Sequence, residues 1–597
     1  MVRPYAEQWA GVGRISILAT LVAVAALSTV AWGESITLSG GASTSTAGSR
    51  TIEFVLVTGT YGNGSPSTYT ASESGAGDVL TITDTGASVT LGDFGVMIAD
   101  IAVDAAGLTD ISAGAKLYAN RAASFARGVF AYGGGSVAIG ATGSVTTADG
   151  TLLYLSGASA FSRTAGGTYA AGILSVAERA TVDFVAGDAV SGDVLVDTGA
   201  TLDIRAPLAT TGDLWVTNGA AVTRSTATVS AATLHVGGPS TVQTLAGDAF
   251  DAVSVTAGGQ FSITAPLTLS TLSVSGEDGS GGVSAVTTNA DVTIADGGSV
   301  QVTGGGRLDV VAPLAATPGG FAALTVSGTA SDGIASVLHV VSSVAGFDSI
   351  GVGSGASLDL DGGNVSADLL AMGGASVFTR TGGSYTVGAL HLADAAAANY
   401  LAGDSITTAV VILSGATLDI GRNLVLSDSL TLGDNASVMR TTATVTAPVV
   451  TVAGLASLAL GASDSIGSLS LSGGGQASSS TALVLDGSMP LTIGEAGSLL
   501  TLSAFNGVAR SAATDLRYAL RLYGDQQTLL ASYLRDGRIA LGSSPQPAVV
   551  IYDPSLYGNV TFIAYVVPEP STLIFAIGSL ATLPFIRRRR CRARVIS

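Results

Sequence analysis

Apolar and polar residues alternate in short bursts along most of this chain. In Thr201-Leu202-Asp203-Ile204, Leu202 and Ile204 fall on one side and Thr201 and Asp203 on the other, which predicts a short strand with one buried and one wet face. Gly199 stands before it as the corner. Strands of the same form, Gly-x-Ser/Thr-apolar-x-apolar, start near Gly86, Gly114, Gly258, Gly355, Gly415 and Gly454, many of them ~20 positions or a multiple of that apart. A strand this short cannot bury its apolar side alone. Stacking on the next copy in the same sense does bury it, so the expected architecture is all-β, a long parallel β-helix, or β-solenoid. Antiparallel sandwiches would need turns every ~8–12 residues, and no regular Asn-Gly or Asp-Gly rhythm runs through the chain before residue 500.

Internal repetition supports the same reading. Residues 157–167 are GASAFSRTAGG and residues 374–383 are GASVFTRTGG. From Tyr169/Tyr385 the two copies hold an offset of 216 through Asp188/Asp404, Asp203/Asp419 and Arg224/Arg440, so a long segment is duplicated and not a single motif. A partial third copy, TLAGDAF with QFSITAPL, lies at 244–267. If residues 34–506 wind in coils of ~20, they make ~23 coils, and at ~4.8 Å per coil a rod of ~110 Å.

Between 507 and 566 the composition changes. Tyr518, Tyr523, Tyr533, Tyr552, Tyr557, Phe562 and Tyr565 are interleaved with Arg510, Arg517, Arg521, Arg535 and Arg538. The stretches LRYALRLYGD, TLLASYLRDGRIAL and AVVIYDPSLYGNVTFIAYVV are expected to be strands of a small antiparallel cap module that protects the last edge of the solenoid.

The two ends follow other rules. Arg3 and Arg14 precede an apolar stretch from Ile15 to Val30, and Ala31 and Gly33 supply the small residues of a signal peptidase site, so residues 1–33 read as a signal peptide cut after Gly33. At the other end, Pro568-Glu569-Pro570 stops the strand pattern Phe562–Val567, because two prolines fix φ and remove two donors. An uncharged run from Ser571 to Ile586 follows, spanning only ~24 Å as a helix against a ~30 Å hydrocarbon layer. Behind it, Arg587, Arg588, Arg589 and Arg590 form a cytoplasmic stop, joined by Arg592 and Arg594. Tripeptide, short apolar helix and arginine block in this order, over 567–597, resemble the PEP-CTERM sorting signal. That resemblance implies a transmembrane sorting helix, cleavage by an exosortase-type sorting protease, and a transient inner-membrane intermediate on the way to the cell surface or extracellular matrix. Proteins with this signal tend to accompany exopolysaccharide production, which makes an extracellular polysaccharide the expected partner. The glycine-rich strand repeats are similar to autotransporter passenger regions, without the carboxyl-terminal barrel of that family.

Composition narrows the chemistry. Gly numbers 80, Lys occurs once, and charged residues are 11%, far below the ~25% usual in globular chains, as expected for strands and tight corners. Net charge is −18; without Arg3, Arg14, Glu7 and the six tail arginines, 17 basic and 42 acidic residues remain, near −25. Such a surface repels phosphates and excludes a nucleic-acid partner. The one cysteine, Cys591, lies in the tail, so the body is expected to have no disulfide. His235, His339 and His391 each sit between apolar residues, so alternation places them on the wet face, several coils apart, and no metal is expected there. Asp203, Asp309, Asp359 and Asp419 are read as outward residues spaced to avoid like charges on adjacent coils. Arg163, Arg224, Arg380 and Arg440 recur before Thr or Ser and are expected to pair with aspartates. The glycine clusters at 133–135, 304–306 and 473–475 lack the Lys-Ser/Thr of a phosphate loop. The expectation is a non-enzymatic structural or adhesion protein without cofactors. A polysaccharide lyase or hydrolase on the same scaffold is the alternative, and it requires two or three acids within ~5–10 Å.

Overall fold

The structure, a computed structural model, describes residues 122–276 and 282–481 continuously, strand segments between 49 and 119, most of 483–567, and 594–595. The chain is all-β, a β-solenoid of about 19 turns with 3% helix. Two compact units divide it: residues 1–254 with 259–261, and residues 255–258 with 262–597.

In the first unit, as far as Ala189–Val190, each turn contributes a strand to each of three parallel sheets. One sheet runs through Lys116–Ala119, Ser136–Ile139, Ala160–Arg163, Thr181–Phe184, Thr201–Ile204 and Ala221–Arg224. A second holds Val129–Ala131, Leu152–Leu155, Ile173–Val176, Val194–Val196 and Leu214–Val216. A third contains Ala122–Phe125, Ser144–Thr147, Thr168–Ala171 and Ala189–Val190. In the second unit the strands of the latter two faces fuse into longer pieces, such as Ser343–Gly353 and Asn364–Met372, with the register shifting between Val344 and Phe347 where the chain bends. Successive turns pair in register, so Leu308, Leu338, Leu358 and Phe378 stack in one column.

The alternation read from the sequence is the alternation of burial. Leu202 and Ile204 are fully buried while Thr201 and Asp203 are half-exposed, and Leu418 and Ile420 repeat the pattern in the second unit. Burying a Leu or Ile stabilises by about 1.5–3 kcal/mol, so the solenoid is held by many equal increments spread along its length.

The corner before most of these strands repeats one pattern. Two residues adopt left-handed backbone, as in Thr198 (φ 50°) with Gly199 (φ 73°) and Ser414 (φ 52°) with Gly415 (φ 79°). A small buried residue follows, Ala180, Ala200 and Ala220 in the first unit and Ala356, Ala396, Ala416, Ala436 and Ala456 in the second. Where Gly306 takes this place, a Cβ would come within 2.5 Å of the Val274 carbonyl oxygen, so even alanine does not fit there.

Two expectations need correction. Uniform coils would give ~23 turns at ~4.8 Å each, but the turns are not uniform. Ser136 pairs with Ala160 and Asp309 with His339, steps longer than the regular one from Thr181 to Thr201, and the structure has about 19 turns. The stretch expected as the strand TLLASYLRDGRIAL is instead a helix, Gln527–Arg535, followed by the strand Ile539–Leu541. Leu530 and Tyr533, three positions apart, bury one helical side, and Leu and Ala are strong helix formers. The neighbouring strands are antiparallel as expected: Asp515–Tyr523 and Val549–Tyr552 both pair with Val560–Val567. They do not stand apart from the solenoid, because Leu483–Leu485 pairs in parallel with Leu520–Leu522 and Leu500–Leu502 with Ile539–Leu541. Among the described residues no helix is long and apolar enough to cross a membrane; the apolar run 571–586 lies outside them.

Candidate functional site

Ala31, Gly33, Pro568, Glu569, Pro570 and Arg587 to Arg590 all lie outside the described residues. The last described strand before the tripeptide, Val560–Val567, ends immediately before Pro568, where the two prolines require a strand to stop.

The recurring arginines are paired, and each takes a strand position that is otherwise apolar. Arg163, Arg224, Arg380 and Arg440 occupy an inward-facing register position, stacked on Ile139, Ile204, Leu360 and Ile420 of the preceding turn. Each reaches an aspartate on the following turn, with N···O distances of 2.7 Å for Arg163–Asp188, 2.6 Å for Arg224–Asp248, and 2.5 Å for both Arg380–Asp404 and Arg440–Asp464. The carboxylate also accepts two backbone N–H bonds. At Asp404 these come from Leu401 (2.6 Å) and Tyr385 (3.0 Å), and the other three clamps repeat the pattern. The guanidinium in turn donates to main-chain oxygens; Arg440 bonds those of Ala443 and Ala459. In two clamps it also lies over aromatic rings, Phe161 and Tyr169 for Arg163, Phe378 and Tyr385 for Arg380. Burial pushes the Asp188 and Asp404 carboxyls up, against the backbone donors and the arginine that favour the ionised form. The duplication therefore repeats a register clamp joining one turn to the next. The signal was in the sequence as a near-constant Arg-to-Asp separation.

The aspartates on the wet face are less evenly dispersed than expected. Asp183 lies directly opposite Asp203 on adjacent turns. Their charges are offset by Arg163, 2.9 Å from Asp183, and by the exposed Arg205, 2.6 Å from Asp203 and 3.9 Å from Asp183. Further along, His339 separates Asp309 from Asp359 and sits 2.9 Å from the Asp309 carboxylate, which Arg307 also binds. Burial raises the Asp309 carboxyl, but hydrogen bonds from Arg307 and His339 outweigh it and hold the group below its ordinary value. His235 stacks flat on Trp215 with centroids 3.5 Å apart, beside Asp213; burial lowers its pKa against the pull of Asp213. The three histidines are not brought together, and among the described residues no three His, Cys, Asp or Glu side chains converge as metal ligands.

One hollow of about 570 Å³ opens in the second unit, between the corners of two successive turns. Tyr400, Ser405 and Thr407 line one side, and Arg422, Asn423 and Val425 the other. Arg422 lies 5.8 Å over the Tyr400 ring and donates to the main-chain oxygen of Asp404 at 3.3 Å. Sequence reasoning missed this group, because no repeat unit marks it.

No family model, curated protein or solved structure matches this chain. Its function is therefore argued from its own residues.

Proposed function

We propose that this chain is an exported structural or adhesion protein of the cell surface or extracellular matrix, sorted and cut at its carboxyl end and associated with exopolysaccharide. The observation that carries this reading is the order Pro568-Glu569-Pro570, uncharged run, Arg587-Arg588-Arg589-Arg590 at one end, with an apolar stretch and Ala31-Trp32-Gly33 at the other. The proposed route needs a signal peptidase and an exosortase-type sorting protease as processing partners, with the apolar run as a passing membrane helix. The repetitive body suits a display role: its strands turn most of their apolar residues inward, it is stabilised in small increments along its length, and its acidic surface keeps copies apart.

The test is mass spectrometry of surface-exposed protein. The expected mature form begins at Glu34 and lacks Leu573 to Ser597, and Glu569→Ala or Pro570→Ala causes the uncut form to accumulate in the cytoplasmic membrane. Peptides beyond Phe585 in mature extracellular material would overturn the sorting reading. The alternative, a polysaccharide lyase or hydrolase, draws on one observation, the Asp183/Asp203 pair flanked by Arg163 and Arg205. It requires that an Asp183→Asn, Asp203→Asn double variant lose a polysaccharide-cleaving activity that the native chain possesses.

A further inference from the structure

The two copies of the duplication part company at one corner. In the first copy the strand Thr201–Ile204 is followed by Arg205-Ala206-Pro207, and in the second the strand Thr417–Ile420 is followed by Gly421-Arg422-Asn423. The arginine has moved one position along the chain, and the consequence is large. Arg205 turns back onto Asp203 and forms an ion pair. Arg422 instead lies over the ring of Tyr400, where the first copy has Phe184, and no ion pair to Arg422 is found among the described residues. The carboxylate of Asp404, whose main-chain oxygen Arg422 binds, is already held by Arg380 and two backbone N–H groups, so it has no lone pair directed at a second guanidinium. In a chain with a large excess of acids, an arginine kept from ion pairing and fixed at the wall of a hollow is a specific arrangement.

The geometry points to a binding site for a carboxylated sugar unit in the hollow between Tyr400 and Arg422. This deepens, and rests on, the polysaccharide association proposed above. The Tyr400 ring fixes one face of the guanidinium and the Asp404 carbonyl takes one of its N–H donors, leaving the other edge of the planar fork for a carboxylate, the bidentate geometry that arginine offers and lysine does not. Asn423, whose Oδ1 already accepts the Thr444 N–H at 3.1 Å, offers its amide NH2 as a donor, and Ser405 and Thr407 supply hydroxyls across the hollow, the groups that hold sugar hydroxyls. Val425, 60% exposed, gives an apolar edge for a pyranose C–H face. A volume of about 570 Å³ is within the range of small-ligand sites and takes one or two sugar rings. The buried Arg380–Asp404 clamp beneath contributes no net charge.

The experiment titrates the full-length chain, held in mild detergent, with a glucuronate-containing oligosaccharide, its carboxyl-reduced neutral counterpart, and inorganic sulfate, by calorimetry. Binding of the glucuronate oligosaccharide is expected, at least tenfold weaker for the neutral sugar and for sulfate, and weakened at least tenfold by Arg422→Ala and severalfold by Asn423→Ala. Arg535→Ala, an exposed arginine on the helix Gln527–Arg535, should change nothing. Arg422 and Asn423 are exposed, and each makes one side-chain bond to the main chain of a neighbouring turn, so circular dichroism checks that the variants keep the fold. If native protein binds the glucuronate sugar but Arg422→Ala binds it equally, this site is wrong while polysaccharide association stands. If native protein binds no sugar at all, the polysaccharide association itself fails. Equal binding of sulfate would reduce the site to general anion capture and overturn the sugar assignment.

Discussion

Replacing Arg380 by methionine should open the solenoid locally at the turn that contains Asp404. The Asp404 side chain is wholly buried, that of Arg380 is 7% exposed, and their oxygens and nitrogens meet at 2.5 Å and 3.0 Å. Removing one partner of such a pair leaves an uncompensated buried charge, at a cost of about 3–5 kcal/mol. Stacked turns open piecewise, so a global unfolding midpoint averages over this loss. Backbone hydrogen exchange over 384–405 reads it locally, and the expected acceleration is about 10²–10⁴-fold. Arg380→Met with Asp404→Asn should recover only part of the protection: the buried charge is gone, but the Leu401 and Tyr385 N–H groups meet different carboxylate oxygens, and the single amide oxygen can accept from one of them. Arg205→Met, in which the lost arginine is 63% exposed, should cost under about 1 kcal/mol. The pH dependence has a definite sign. Asp404 already lies above its ordinary value, and without Arg380 it lies higher still, so the variant's penalty is full near neutral pH and shrinks as pH falls toward the unfolded carboxylate value near ~3.9. Acceleration below tenfold, or equal effects of Arg380→Met and Arg205→Met, would refute the clamp as a structural tie.

The other predictions are simpler. Leu418→Asp, at a fully buried position, should cost several kcal/mol and expose the amides of the flanking turns, while Thr417→Asp on the wet side should cost less than about 1, measured by the same exchange experiment. The His235 imidazole has a lowered pKa, so the unfolded chain binds its proton first and stability falls as pH drops below ~6.5. His235→Phe keeps the stack on Trp215 and should flatten the stability profile from ~6.5 downward; an unchanged slope would assign the proton uptake to another group.

The solenoid was legible because its two signals, alternation within a strand and recurrence between turns, are both local properties of the sequence. Thr201-Leu202-Asp203-Ile204 states its burial pattern outright. The clamps were only half legible. In Ala160-Phe161-Ser162-Arg163 the period-two rule assigns Arg163 to the same side as Phe161, and that is where it sits. What single-strand reasoning lacks is the carboxylate one turn away that makes an inward arginine tolerable. The helix Gln527–Arg535 was mistaken for a strand because Leu529, Leu530 and Tyr533 fit a buried strand as well as a helical side, and the neighbouring turn signals favoured strands. The hollow at Arg422 was invisible for a related reason: it is made by two turns that differ from their duplicates by one position, and a repeat comparison treats such a shift as noise.

The long step from Asp309 to His339 shows what this scaffold permits. The extra residues close on themselves through a bridge between Thr329 and Ala335, and Ser336 donates its N–H to the Gly328 oxygen at 3.0 Å as the chain returns to the wall. Ser336 then takes the buried small-residue position of the corner, and Leu338 meets Leu308 in the column as though nothing had been added. Interior and perimeter are thus written independently. A peptide of foreign sequence spliced between Gly328 and Ser336 should be carried outward on a short stalk while the columns on either side keep their register, which makes that corner a natural cassette for epitope grafting and a place where new surface specificities can be acquired without renegotiating the fold.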